Sequence, residues 1–185
     1  MGSAGVRIAF CGASGTGKST VAVPLAQALG VDFCDVGSRT VCKLLGFSSP
    51  YDVDSAGMRP VFQRLLLSKK REWEMARASF VTDRTHLDNM VYSAMEMPEI
   101  VTDQYLEETT EACSIYTHVF FCPIGSFHDT AGDPDRLSDR DYHKRYEDRL
   151  VEACRRLEGH VPVYLLMPGT PAERLAEVMS RIGAE

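Results

Sequence analysis

The sequence predicts a three-layer α/β fold: a five-stranded parallel sheet flanked by helices on both faces, in a single domain spanning residues 1–185. Three observations point there. Short apolar runs alternate with longer amphipathic stretches, the pattern of strands buried on both faces and joined by crossover helices. The first apolar run passes through a glycine-rich turn directly into a segment of helical periodicity. A length of 185 residues, with 44% hydrophobic and 25% charged residues, suits one sizeable core rather than two.

Taken in order, residues 6–11 are β-branched and aromatic enough for a strand, and 18–29 form the first helix, stopped by Gly30. A second strand is expected over 31–34, then a helix over 38–45 that ends at Gly46. The amphipathic stretch 57–78 reads as one long helix leading into a strand at 80–82. Helices over 87–95 and 103–113 precede the fourth strand, 118–122. Residues 123–141 mix glycine, proline, aspartate and arginine without apolar periodicity, so they are expected to form a mobile lid. A helix over 141–157 with Gly159 as its stop, a strand over 161–166 and a helix over 171–181 complete the chain.

Composition narrows the function. No apolar run approaches the roughly 20 residues that span a bilayer, and Met1 to Gly5 lack a signal peptide's basic and apolar parts, so a cytoplasmic protein without membrane contact is expected. Six cysteines, Cys11, Cys34, Cys42, Cys113, Cys122 and Cys154, form no CxxC pair and suggest neither zinc nor disulfides. A net charge of −6 disfavours nucleic acid as a partner, although a local basic groove remains compatible with it. An apolar helix face leaves room for a homodimer.

Gly12-Ala13-Ser14-Gly15-Thr16-Gly17-Lys18-Ser19 matches GxxxxGK[ST] at every fixed position, after a strand and at the start of a helix. Glycines let the turn's amides converge on the β- and γ-phosphates, with the helix N-terminus adding positive potential. Lys18 brings a full charge to the β/γ oxygens, the Ser19 hydroxyl is placed for Mg²⁺, and Thr20 reaches the α-phosphate. A plain tight turn would give no reason for Lys18-Ser19 at this spacing. ATP and Mg²⁺ are therefore the expected cofactors.

The phosphate loop alone selects no reaction. Asp54-Ser55-Ala56-Gly57 matches a GTPase DxxG pattern, yet no convincing strand precedes it and no [NT]KxD follows. The strand at 80–82 ends in Asp83-Arg84 rather than in paired acids, which suggests a kinase. With the arginine-bearing loop around Arg136 and Gly169-Thr170-Pro171 after the last strand, the chain resembles the nucleoside and nucleotide kinase superfamily of P-loop proteins. Asp83-Arg84 followed by Leu87-Asp88-Asn89 and Tyr92 is most similar to the AAA-type family of small ATPases and kinases related to ribosylnicotinamide kinase, together with thymidylate and deoxynucleoside kinases.

The resemblance implies an ATP-dependent phosphotransferase acting on a nucleoside-like small acceptor. It implies Asp35 after the second strand as the base, Asp83 as the carboxylate that holds Mg²⁺ or orients substrate, and Arg84 as a contact to substrate or its phosphate. The two aspartates could exchange roles, and either could instead cap a helix; Arg84 could be a surface ion pair. Arg136, then Arg140 and Arg145, are the lid arginines that would meet the transferring phosphoryl group, against a mixed-charge solvated loop. Arg39, Gln63 and Arg64 would wall the acceptor site, or simply face solvent. Phe47 and Tyr51 are candidates to stack on a base, whereas Phe62 and Trp73 suit a core. Gly169 and Thr170 would lie against adenine, or Thr170 would cap the last helix. Two rivals stand beside this reading: a kinase of 5-hydroxymethyluracil in phage DNA, which would place the protein in a host cytoplasm, and a regulatory ATP-binding module with weak ATPase activity.

Overall fold

The computed structural model describes residues 5–125 and 139–183. Its elements run β1 (Arg7–Cys11), α1 (Lys18–Leu29), β2 (Asp32–Cys34), α2 (Ser38–Leu45), α3 (Pro50–Ser55), α4 (Arg59–Met75), β3 (Phe80–Asp83), α5 (His86–Glu96), α6 (Asp103–Cys113), β4 (His118–Phe121), α7 (Arg140–Arg155), β5 (Val163–Leu165) and α8 (Pro171–Arg181). A 3-10 turn, Pro98–Ile100, links α5 to α6.

The strands form one parallel sheet in the order β2-β3-β1-β4-β5, with Ala9 opposite both Thr82 and Val119. Alternation along β1 explains why its apolar run is continuous. Ile8 and Phe10 pack with Val21, Leu25 and Val178 of α1 and α8, while Ala9 and Cys11 face Leu87, Tyr146 and Leu150 of α5 and α7. β4 repeats the pattern, Phe120 on the α1 face and Phe121 on the other. A satellite cluster of Val41, Cys42, Val53 and Phe62 joins α2, α3 and α4 beside the edge strand β2. Phe62 is core, as expected; Trp73 stands edge-on to Phe80 beneath the Arg77 guanidinium. Tyr51 is exposed and Phe47 packs against the satellite cluster. All six cysteines are buried, and none is joined in a disulfide.

Several boundaries differ from expectation. The long helix over 57–78 is shorter, and a separate helix α3 precedes it. Ser49 and Asp52 close a capping box around Pro50, and Gly57 then turns the chain at φ +66°. α7 stops at Arg155, so Gly159, at φ +81°, shapes the turn beyond it rather than the helix end. Strand β5 starts only at Val163, because Pro162 has no N–H and uses its carbonyl to accept from Val119. Of the expected lid 123–141, residues 126–138 lie outside the described residues, and its last residues differ from a loop. Asp139 caps α7 through the Asp141 and Tyr142 amides, and Arg140 opens the helix.

Candidate nucleotide-binding site

The site grows from the carboxyl ends of β1 and β3, where an open parallel sheet leaves strand ends facing helix N-termini. Gly12 leaves β1 at φ +139°, and a Cβ there would stand 2.4 Å from the Cys122 carbonyl oxygen. Only glycine fits that contact. Gly15 and Gly17 take φ +78° and +76°, closing the loop onto the start of α1. Thr16, fully buried, donates from Oγ1 to the Ala13 carbonyl at 3.0 Å, and the Thr20 hydroxyl bonds the Gly17 carbonyl at 2.6 Å.

Lys18 is 5% exposed and its Nζ donates to the Ala13 carbonyl at 2.6 Å, with the Thr16 hydroxyl at 3.4 Å. Both of these partners are neutral oxygens. Burial, and then the neighbouring Arg84, push its pKa below the ordinary lysine value despite Asp83 and Asp88. A buried cation in that state favours an anion brought to it.

Asp83 ends β3 and accepts from the Ser19 hydroxyl through Oδ2, while its buried Oδ1 has no partner among the described residues. Two hard oxygens in contact, one with a spare lone pair, suit the coordination of Mg²⁺. The glycine cradle and buried Lys18 likewise suit a polyphosphate, so the residues present fit both expected cofactors.

Arg84 is the one non-glycine residue with positive φ, +78°, among the described residues. Its amide bonds the Phe10 carbonyl at 2.7 Å, which turns the chain out of the sheet, and its Nη2 reaches the Ser14 hydroxyl at 3.0 Å. Such strain is tolerated where the surroundings over-determine it, here beside the phosphate loop.

Asp35 follows β2, is exposed, and its carbonyl accepts from the Thr40 hydroxyl. Since Cys34 pairs with Thr82 in the sheet, Asp35 and Asp83 emerge side by side. Neither caps a helix: Gly37 occupies that position before α2 and Thr85 before α5. Gln63 is buried and accepts from the Asn89 side-chain amide, whose oxygen accepts from the Tyr105 hydroxyl at 2.9 Å. Arg39 and Arg64 are exposed on α2 and α4; Arg140 and Arg145 are exposed on α7. Arg136 lies outside the described residues. Thr170 caps α8 in a capping box with Glu173, and Gly169 sits against that glutamate. Asp54 is helical and ion-paired with Arg59, so its DxxG pattern is coincidental.

Two site neighbours escaped the sequence reading. Asp88 was visible only as part of a resemblance, yet its carboxylate accepts from the Gly12 amide at 3.1 Å. Arg174 is 3% exposed and donates from Nη1 to the Thr16 carbonyl at 2.9 Å, with Nε and Nη2 unpartnered among the described residues. Its signal was a charge one turn before Val178 on the buried face of α8.

Solved structures share this architecture. Deoxyadenosine kinase from M. mycoides, with dCMP and dCDP bound, is 14% identical at a TM-score of 0.69, covering 96% of this chain and 98% of that one. Shikimate kinase from Aquifex aeolicus is 17% identical at 0.61, covering 96% of each. The NadR protein in complex with NR is 12% identical at 0.67, covering 98% of this chain and 53% of that one. At such identities the likeness is one of fold. No curated protein matches the sequence. A family model for the AAA domain matches residues 7–174, and the chain therefore belongs to this family, with the fold of the P-loop nucleotide kinase superfamily.

Proposed function

We propose that the protein is an ATP-dependent phosphotransferase that moves the γ-phosphoryl group to a nucleoside, nucleotide or related small acceptor. The observation that carries this reading is the convergence of Lys18, Arg84 and the Ser19–Asp83 pair on one phosphate loop. The loop amides and Lys18 hold the β- and γ-phosphates, and Arg84 adds charge where Ser14 lines the loop. Mg²⁺, held by Ser19 and Asp83, would neutralise charge on the β- and γ-oxygens. Asp35, at the neighbouring strand end, takes the acceptor hydroxyl's proton, while Gln63 and Arg39 orient the acceptor. Gly169 and Thr170 flank the adenine. Kinases acting on deoxynucleosides and on shikimate share this fold, which supports phosphoryl transfer to a small acceptor.

The test is acceptor-dependent ADP release from Mg·ATP across nucleosides, nucleoside monophosphates, nicotinamide riboside, shikimate and hydroxymethyluracil DNA, at two salt concentrations. Release with one small acceptor, insensitive to salt, is expected. A steep salt dependence with DNA identifies a polymer substrate instead. Hydrolysis that no acceptor accelerates would leave a regulatory ATP-binding module and overturn the kinase reading.

A further inference from the structure

Asp88, at the third position of α5, is 2% exposed, and its two carboxylate oxygens face different parts of the molecule. Oδ2 accepts from the Thr85 amide and hydroxyl, both at 2.8 Å. That half is an ordinary capping box. Capping leaves Oδ1 unexplained. Oδ1 accepts from the Gly12 amide at 3.1 Å, across 76 residues of sequence, and from the Tyr146 hydroxyl of α7 at 3.0 Å. The Arg84 Nη1 stands 3.8 Å from the same oxygen.

Each partner has a reason to be there. The Gly12 amide is fixed by a backbone conformation that only glycine adopts against Cys122. Burial raises the Tyr146 pKa far above its ordinary value, so its hydroxyl stays protonated and donates. Arg84 spans the gap between Asp88 and Ser14, with its backbone held by Phe10. One carboxylate thus joins the first residue of the phosphate loop to the arginine leaning over that loop.

We propose that Asp88 is a positioning residue that sets the Arg84 guanidinium against the phosphate loop, so that a terminal phosphate meets Lys18 and Arg84 already in place. This rests on the nucleotide-binding reading above. Holding a cation by a buried anion removes the reorganisation that a free arginine would undergo on binding.

The γ-phosphate is what the arrangement serves, so the measurement is the affinity ratio of Mg·ATP to Mg·ADP, read by calorimetric titration of the intact chain. Asp88→Asn keeps the shape but removes the charge and presents an amide N–H₂ to donors. It should weaken ATP about 10–100-fold and ADP much less, the range for a lost charge-assisted hydrogen bond. Arg84→Met should lower the ratio to the same extent, and the double variant should lower it no further, because both remove one device. Thr85→Ala, which removes the cap and one donor to Oδ2 but leaves the Oδ1 contacts to Gly12, Tyr146 and Arg84, should lower Tm and lower the ratio much less than Asp88→Asn does. Should Asp88→Asn fail to fold, Tyr146→Phe takes its place, since it removes one partner of Oδ1 and keeps the ring; it should lower the ratio more than Thr85→Ala does. A ratio unchanged in Asp88→Asn or, in its place, Tyr146→Phe, or additive losses with Arg84→Met, overturns the proposal while leaving the nucleotide site standing. Wild-type protein that binds neither nucleotide overturns both.

Discussion

Two buried lysines lie near the carboxyl ends of neighbouring strands, Lys18 after β1 and Lys70 beside β3, and are treated in opposite ways. Lys70 of α4, 5% exposed, pairs with Glu74 at 3.1 Å and bonds the Thr82 hydroxyl. Glu74 is fully buried and also takes His86 Nε2 at 2.8 Å and the Tyr116 hydroxyl at 3.0 Å. Every charge in this group has a counterpart. Burial works against the Lys70 charge, but Glu74 outweighs it and raises the pKa above the ordinary lysine value. Burial likewise opposes the Glu74 charge, and Lys70 with His86 hold that carboxyl below its usual range. Lys18 is equally buried, bonds neutral oxygens and has a lowered pKa, with Asp83 Oδ1 and two Arg174 nitrogens, unpartnered among the described residues, nearby in the site. The contrast separates a charge group that completes the fold from one that the fold leaves incomplete for a ligand.

The contrast breaks most severely at Glu74. Glu74→Gln leaves Lys70 buried without its anion and should cost about 3–5 kcal/mol of stability, read by denaturant unfolding. Adding Lys70→Met should recover much of that loss, since removing both charges leaves neither uncompensated.

Lys18→Met should lower turnover with Mg·ATP about 100–1000-fold, as removal of one preorganised donor does. Its thermal midpoint should rise in the same protein, the opposite of Glu74→Gln. A variant with normal turnover would end the phosphate-site reading.

Titration sharpens the comparison further. Glu74 has a lowered pKa in the folded state, so its stabilisation is fully present above the unfolded value of 4.5 and is lost as pH falls through the folded value. Lys70 has a raised pKa, so its stabilisation is present below 10.5 and is lost as pH rises through the folded value. Lys18 has the reverse sign: the native state binds its proton less tightly, so it opposes folding below its native pKa and ceases to do so as pH rises towards 10.5. The stabilities of wild type and Glu74→Gln should therefore converge at low pH, whereas the stability advantage of Lys18→Met over wild type should be largest below the native Lys18 pKa and shrink as pH rises towards 10.5.

The smallest effect is expected at Arg174. Arg174→Met keeps the packed stem, loses one bond to the Thr16 carbonyl and removes two buried nitrogens that have no partner among the described residues. Stability should change by less than about 1 kcal/mol, and Mg·ATP affinity should fall about 2–10-fold in the same titration.

Much of the fold was legible because its signals are local. α1, α2, α6 and α8 have the expected ends, where Gly30 and Gly46 take left-handed conformations and Thr102 and Thr170 accept from helix amides. α3 was equally local in origin, with Ser49, Pro50 and Asp52 spelling a helix start, but its few residues carry too little periodicity to be separated from the stretch that follows. In the site, the Gly12–Thr20 segment is contiguous, so its purpose could be read from spacing. Gln63 was recognisable as a helix residue near the site, but its burial against Asn89 was not, because the partner lies on another helix.

Alone, the amino-acid order determined that this chain makes a parallel sheet with a phosphate loop after its first strand, since glycines and a lysine at fixed spacing act through neighbouring backbone. Tertiary structure alone decided what the buried charges mean. Asp88, Arg174, Lys70 and Lys18 acquire their states from groups that folding brings across sheet and helices, and whether a buried charge is satisfied or waiting depends on those distant partners.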